Sequence, residues 1–176
     1  MKHYMYIVAV ILNLGAGSQA YAEGALVAQA RLMDATGKRI GIVSLVEHNK
    51  GVQITLNARG LTPGEHGLHI HRTGHCVTPN FLSAGSHFNP YGTQHGMENP
   101  IGPHGGDLPN LVVKDNGNVA TTMENDLVTL EEGFINSLFD ADGSAIVIHA
   151  KPDDGVTNPT GNSGARVACG VIEKLN

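Results

Sequence analysis

Gly67-Leu68-His69-Ile70-His71 is the stretch from which the chain is best read. In an extended strand successive side chains alternate between faces, so His69 and His71 share one face while Leu68 and Ile70 share the other. A strand so written has one face for a hydrophobic core and one for chelation. Imidazole suits copper, zinc, nickel or iron far better than calcium or magnesium, and copper(II) heads the divalent affinity order at nitrogen sites. Seven of the ten histidines fall between His66 and His104, which strengthens a transition-metal reading.

Working outward, short apolar or alternating runs separated by turn residues dominate, and no long stretch has a helical period. Candidate strands are Ala25 to Met33, Arg39 to Glu47, Val52 to Ala58, Glu65 to His71, Leu108 to Lys114, Val119 to Glu124, Ser144 to His149 and Arg166 to Ile172. Turn chemistry at Asp34-Ala35-Thr36-Gly37, Asn49-Lys50-Gly51 and Asp115-Asn116-Gly117-Asn118 fits hairpins between them. Eight such strands predict an all-β sandwich or closed barrel, folds that manage their strand edges. Two long connections interrupt the rhythm, Arg72 to Asp107 and Ala150 to Ala165, and loops of that length point to function.

The N-terminus reads as a secretory signal. Lys2 precedes the apolar stretch Ile7 to Leu14, and Ala20-Tyr21-Ala22 offers small residues for cleavage after Ala22. Residues 1–22 are therefore expected to be removed, leaving one domain over 23–176 in the periplasm of a Gram-negative cell or otherwise secreted or at the cell surface. Losing Lys2 takes the formal charge from -5 to -6, which disfavours nucleic acid and anionic membrane surfaces as partners. Two cysteines in an exported chain are most simply one disulfide, Cys76 to Cys169. Thiolate metal ligation competes with that reading, although each cysteine stands alone.

The first long connection carries Ser86-His87-Phe88, Gln94-His95-Gly96 and His104-Gly105-Gly106-Asp107. Three imidazoles and a carboxylate are the ligand types of a closed tetrahedral zinc site. His149, at the end of Ala145 to His149, is a further candidate for the metal held by His69 and His71, with Ile146 and Ile148 turned inward and His149 outward.

These residues resemble the copper/zinc superoxide dismutases over essentially the whole mature chain. The strand motif Gly67 to His71, the bridging segment Ala84-Gly85-Ser86-His87-Phe88-Asn89-Pro90 and the C-terminal signature Gly161 to Ile172 carry the resemblance. It implies an eight-stranded antiparallel Greek-key β-barrel, an immunoglobulin-like sandwich, with two long functional loops. It implies one copper ion held by His69, His71, His87 and His149, and one zinc ion held by His87, His95, His104 and Asp107. His87 would bridge the metals as an imidazolate and take up a proton on its copper side when copper is reduced. Asp153 would link a copper-ligand histidine to a zinc-ligand histidine, Arg166 would hold the superoxide anion beside copper, and Cys76 would pair with Cys169. Copper, which exchanges single electrons, would turn superoxide into dioxygen and hydrogen peroxide while zinc served structure. The resemblance leaves a homodimer open, because branches of the family assemble differently.

Other histidines have plainer readings. His66 is expected to be a hydrogen-bonded structural residue, and His48 and His75 solvated or locally bonded. The loops also depart from the family's habit of concentrating charge near copper. Ala150 to Ala165 holds only Lys151, Asp153 and Asp154 as charged residues before Arg166, and Val77 to Ser83 holds none. Weak long-range steering is therefore expected. The competing function is a non-catalytic exported copper- and zinc-binding protein.

Overall fold

The computed structural model describes residues 27–48 and 51–175, so the signal segment and its cleavage site lie outside the described residues. Nine strands follow in chain order: β1 (Val27–Asp34), β2 (Arg39–His48), β3 (Gly51–Arg59), β4 (Gly64–His66), β5 (Leu68–His71), β6 (Leu111–Val113), β7 (Asn118–Asn125), β8 (Ala145–His149) and β9 (Arg166–Lys174). A 3-10 turn, Leu82–Ala84, lies in the first long loop.

Seven strands form one antiparallel sheet in the order β5-β8-β9-β1-β2-β3-β7, and β4 pairs with β6. The sheet curls toward closure because β4 leads directly into β5 at one edge while β6 turns into β7 at the other. Lys114 and Asn118 close that last hairpin with an N–H to carbonyl bond of 3.0 Å. This arrangement, all-β and antiparallel, fits the Greek-key barrel that the resemblance implied.

The expected strand Glu65 to His71 is divided at Gly67 into β4 and β5, which accounts for nine strands where eight were read. Gly67 donates its N–H to Lys151 O of the second long loop and accepts from His149 N at the end of β8, both at 2.8 Å, so its backbone is tied to that loop where β4 would otherwise run on into β5. A Cβ there would lie 2.8 Å from Ser163 Cβ, too close for any other residue.

Strand alternation delivers the core. Val52, Ile54, Leu56 and Ala58 of β3 point inward and pack with Leu32, Val43, Leu45, Leu68, Ile70, Ile146 and Ile148. The outer face of β8 and β9 is buried as well, since Phe81, Ala84 and Cys76 from the first loop cover Ala145, Val147 and Cys169. Burial of all five residues of β8 follows from this double cover. Cys76 and Cys169 form the expected disulfide, a closure over 93 residues worth about 4–5 kcal/mol in the chain-entropy account.

Candidate metal centre

The pairing of β5 with β8 sets His69 opposite Val147 and His71 opposite Ala145, on the face turned away from Leu68 and Ile70. His149 ends β8 on that same outer face. The first loop returns across it, with His87 bridged to His71 and Asp107 bridged to His69. Loop backbone is stitched to β5 by Ile70 N to Gly106 O at 2.8 Å and Phe88 N to Ile70 O at 2.9 Å. The histidines facing outward are thus roofed over, and His69, His71, His87, His95, His104, Asp107 and His149 are all buried.

Two groups of ligand atoms converge. One nitrogen from each of His69, His71, His87 and His149 lies within 4.8 Å of every other, and so do single atoms of His69, His87, His95 and Asp107. Around Asp107 Oδ1, His87 Nδ1 stands at 2.9 Å, His95 Nδ1 at 3.0 Å and His104 Nδ1 at 3.4 Å. On the other side His71 Nε2 and His149 Nε2 approach to 3.4 Å. His69 Nδ1, His87 Nε2 and His104 Nδ1 are buried with no hydrogen-bond partner among the described residues. Buried polar atoms are rarely left so, and metal coordination would satisfy all three.

The nitrogens turned away from the convergence are fixed by bonds to carbonyls and carboxylates. His71 Nδ1–H donates to Gly85 O at 2.9 Å and His149 Nδ1–H to Gly164 O at 3.1 Å. His69 Nε2–H donates to Asp153 Oδ2 at 2.5 Å, and His95 Nε2–H to Asp153 Oδ1 at 3.0 Å. One carboxylate therefore spans the two groups. Asp153 is itself held by Asn110, whose side chain bonds both its backbone N–H and its carbonyl at 2.9 Å. Gly161 lies against this carboxylate so closely that a Cβ would sit 2.1 Å from Asp153 Oδ1.

Burial pushes His71 down to about 2, with the His87 charge adding to it, and pushes His149 down to about 3. Burial likewise lowers His87 to about 4 against the pull of Asp107, and lowers His69 against its bond to Asp153. The four rings of the first group are accordingly neutral at pH 7 and able to offer lone pairs. His95 behaves oppositely. Burial acts to lower it, but the bonds to Asp107 and Asp153 prevail and raise it to about 9 in the metal-free protein. Burial also works to raise Asp107 and Asp153, yet the bonds from their histidines hold both well below the usual carboxylate range.

A channel of about 820 Å³ reaches His71, His87, His104 and His149 from solvent, and among the described residues Arg166 is the one charged side chain on its wall besides histidines. Arg166 pairs with His149 across β8 and β9, which places it at the channel. Its Nη1 donates to Phe81 O and its Nη2 to Gly85 O, each at 2.6 Å. Arg166 thus clamps the first loop, and through the shared Gly85 carbonyl it is tied to His71. Nothing in the sequence signalled the Gly85 link or the Asn110 clip. His66 is hydrogen-bonded as expected, and buried, its Nδ1–H donating to His149 O at 2.6 Å while Nε2 meets Thr62. His66 therefore steadies the backbone of His149.

The sequence pattern of the copper/zinc superoxide dismutase (SODC) family matches residues 39–172. Superoxide dismutase [Cu-Zn] 2 of Aquifex aeolicus is 52% identical over 148 residues, 84% of this chain and 86% of that protein. The crystal structure of a superoxide dismutase-like protein from Bacillus subtilis superposes with a TM-score of 0.79 at 42% identity, covering 81% of this chain and 96% of that one. The copper/zinc superoxide dismutase of Brucella abortus gives a TM-score of 0.68 at 30% identity, covering 84% and 99%. Sequence pattern, fold and buried histidine groups agree, and the chain belongs to the copper/zinc superoxide dismutase family.

Proposed function

We propose that this protein is an exported superoxide dismutase carrying one copper and one zinc per chain, with His69, His71, His87 and His149 on copper and His87, His95, His104 and Asp107 on zinc. The observation that carries the reading is the double engagement of His87. Its Nδ1 lies 2.9 Å from Asp107 Oδ1, whereas its Nε2 points unpartnered into the other group. A single imidazole can therefore serve two metals. His69 is near both groups, but its Nε2 is committed to Asp153, so only Nδ1 remains to coordinate, on the copper side. His104 supplies the fourth atom on the zinc side.

Bound copper supplies the one-electron couple that disproportionation requires, and zinc, which has no redox chemistry, supplies structure. The protein's own groups handle the anion and the protons. Arg166, permanently charged and presenting several donors, holds superoxide in the channel. Two superoxide anions and two protons yield one dioxygen and one hydrogen peroxide. His87 contributes by holding a proton at Nε2 in one half of the cycle and giving it up in the other. Asp153 keeps His69 and His95 in the tautomers that leave their Nδ1 atoms free for metal.

Removal of residues 1–22 on export would leave the mature domain 23–176, and the disulfide suits an oxidising compartment such as the periplasm. Superoxide is the partner proposed, and neither nucleic acid nor membrane is a proposed partner of the mature chain. Elemental analysis followed by superoxide consumption tests the function. One copper and one zinc with turnover is expected, whereas bound metals without turnover would favour the non-catalytic metal-binding protein.

A further inference from the structure

The candidate centre is reached by two cavities of opposite character. The large channel carries Arg166 and leads to the proposed copper ligands. A second cavity, about 170 Å³, is lined at its inner end by His95, Asp107 and Asp153 and at its outer end by Met97, Glu98 and Asp154. His95 is fully buried and Asp107 is 5% exposed, while Met97 is 57% exposed, so this lining runs from the surface to the proposed zinc ligands. Asp154 is committed to its own loop, accepting from the Thr157 hydroxyl and the Asn162 amide at 2.6 and 2.9 Å. The Glu98 carboxylate makes no hydrogen bond or ion pair among the described residues. Its backbone is fixed at the mouth by Glu98 N to Gly155 O at 3.1 Å.

We propose that this second cavity is the route by which a divalent cation reaches His95 and Asp107, with Glu98 drawing it in. The proposal rests on the zinc assignment above. A narrow cleft walled by carboxylates focuses a negative potential, which raises the local concentration of cations and repels anions. The channel with Arg166 does the reverse, favouring superoxide and opposing a metal dication. Loading and substrate traffic are thereby separated by charge. His104 also borders the large channel, so that channel is the competing route for zinc.

The test is stopped-flow uptake of zinc from zinc chloride by the metal-free, disulfide-intact protein, read with a chromophoric chelator. Glu98→Gln should slow uptake about threefold and Glu98→Lys about tenfold at low ionic strength, and both deficits should shrink as salt approaches about 0.15 M, where the screening length is about 8 Å. Copper(II) uptake by the zinc-loaded variants, followed by its visible absorbance, should keep the rate of the unsubstituted protein. Equal rates of zinc uptake in all three proteins would overturn the route and leave the large channel in its place. An equal slowing of copper uptake would also overturn it, because the effect would then be one of overall charge. Failure of the unsubstituted protein to bind zinc at equilibrium would overturn the zinc assignment together with the route.

Discussion

Asp153→Asn changes one atom of the group that joins the two halves of the centre. The carboxylate accepts from His69 at 2.5 Å and from His95 at 3.0 Å, with a further bond of 2.6 Å from Gly155 N. An amide keeps one accepting oxygen but turns an NH2 toward the second imidazole. That ring must either lose its bond or move its proton to Nδ1, the atom it offers to metal. Loss of one hydrogen bond to a charged group costs about 1.5–3 kcal/mol, which at about 1.4 kcal/mol per tenfold is roughly a 10–100-fold loss of metal affinity. The loop itself should stay docked, because both Asn110 bonds go to the Asp153 backbone. Competition against chelators of known affinity at pH 7 measures the loss. NMR titration of the metal-free variant should show His95 falling below its value of about 9, with Asp107 as its one remaining carboxylate partner. Affinities for both metals within about twofold of the unsubstituted protein, with His95 still titrating near 9, would refute the argument that Asp153 orients these rings.

His71→Ala removes an imidazole from the proposed copper group alone; elemental analysis and activity assays should find zinc retained, with activity down by at least the roughly 10–100-fold that loss of an outer partner costs. The metal-free protein should lose stability as pH falls below about 6.5, because His71, His87 and His149 have folded values near 2, 4 and 3 and the unfolded chain binds more protons through that window. Urea titrations of metal-free protein at pH 7.5 and 4.5 check this, and equal midpoints would contradict it. Arg166→Glu should lower turnover by about tenfold or more with both metals still bound, since repulsion replaces attraction in the channel; full activity by pulse radiolysis would remove its proposed role. The unsubstituted enzyme's rate should fall only modestly with added salt, because the channel wall carries no charged side chain besides Arg166 and histidines, and a steep fall would reveal a positive field from elsewhere.

Much of this molecule was legible in sequence because its signals are local. Alternation put His69 and His71 on one face and Leu68 and Ile70 on the other, and the β5–β8 pairing bears that out. The hairpin turns at Asp34 to Gly37 and Asp115 to Asn118 fall between the expected strands. Lone cysteines 93 residues apart were paired correctly, since two cysteines have one possible intrachain pairing. The break at Gly67 was not legible, because its cause is Ser163 and Lys151 arriving from a loop almost a hundred residues later. Nor could the sequence say that outward-facing His149 would be buried, since the cover comes from another loop. Which nitrogen of each ring turns inward was decided by Gly85 O, Gly164 O and Asp153, and those bonds exist only once both long loops fold over β5 and β8. The sequence by itself determined the residue types offered as ligands and the strand face that presents them, because period and composition are properties of neighbouring residues. Tertiary structure alone decided the shared carbonyl between His71 and Arg166, the hold of Asn110 on Asp153 and the two cavities of opposite charge, because each requires distances between residues that the backbone brings together only in three dimensions.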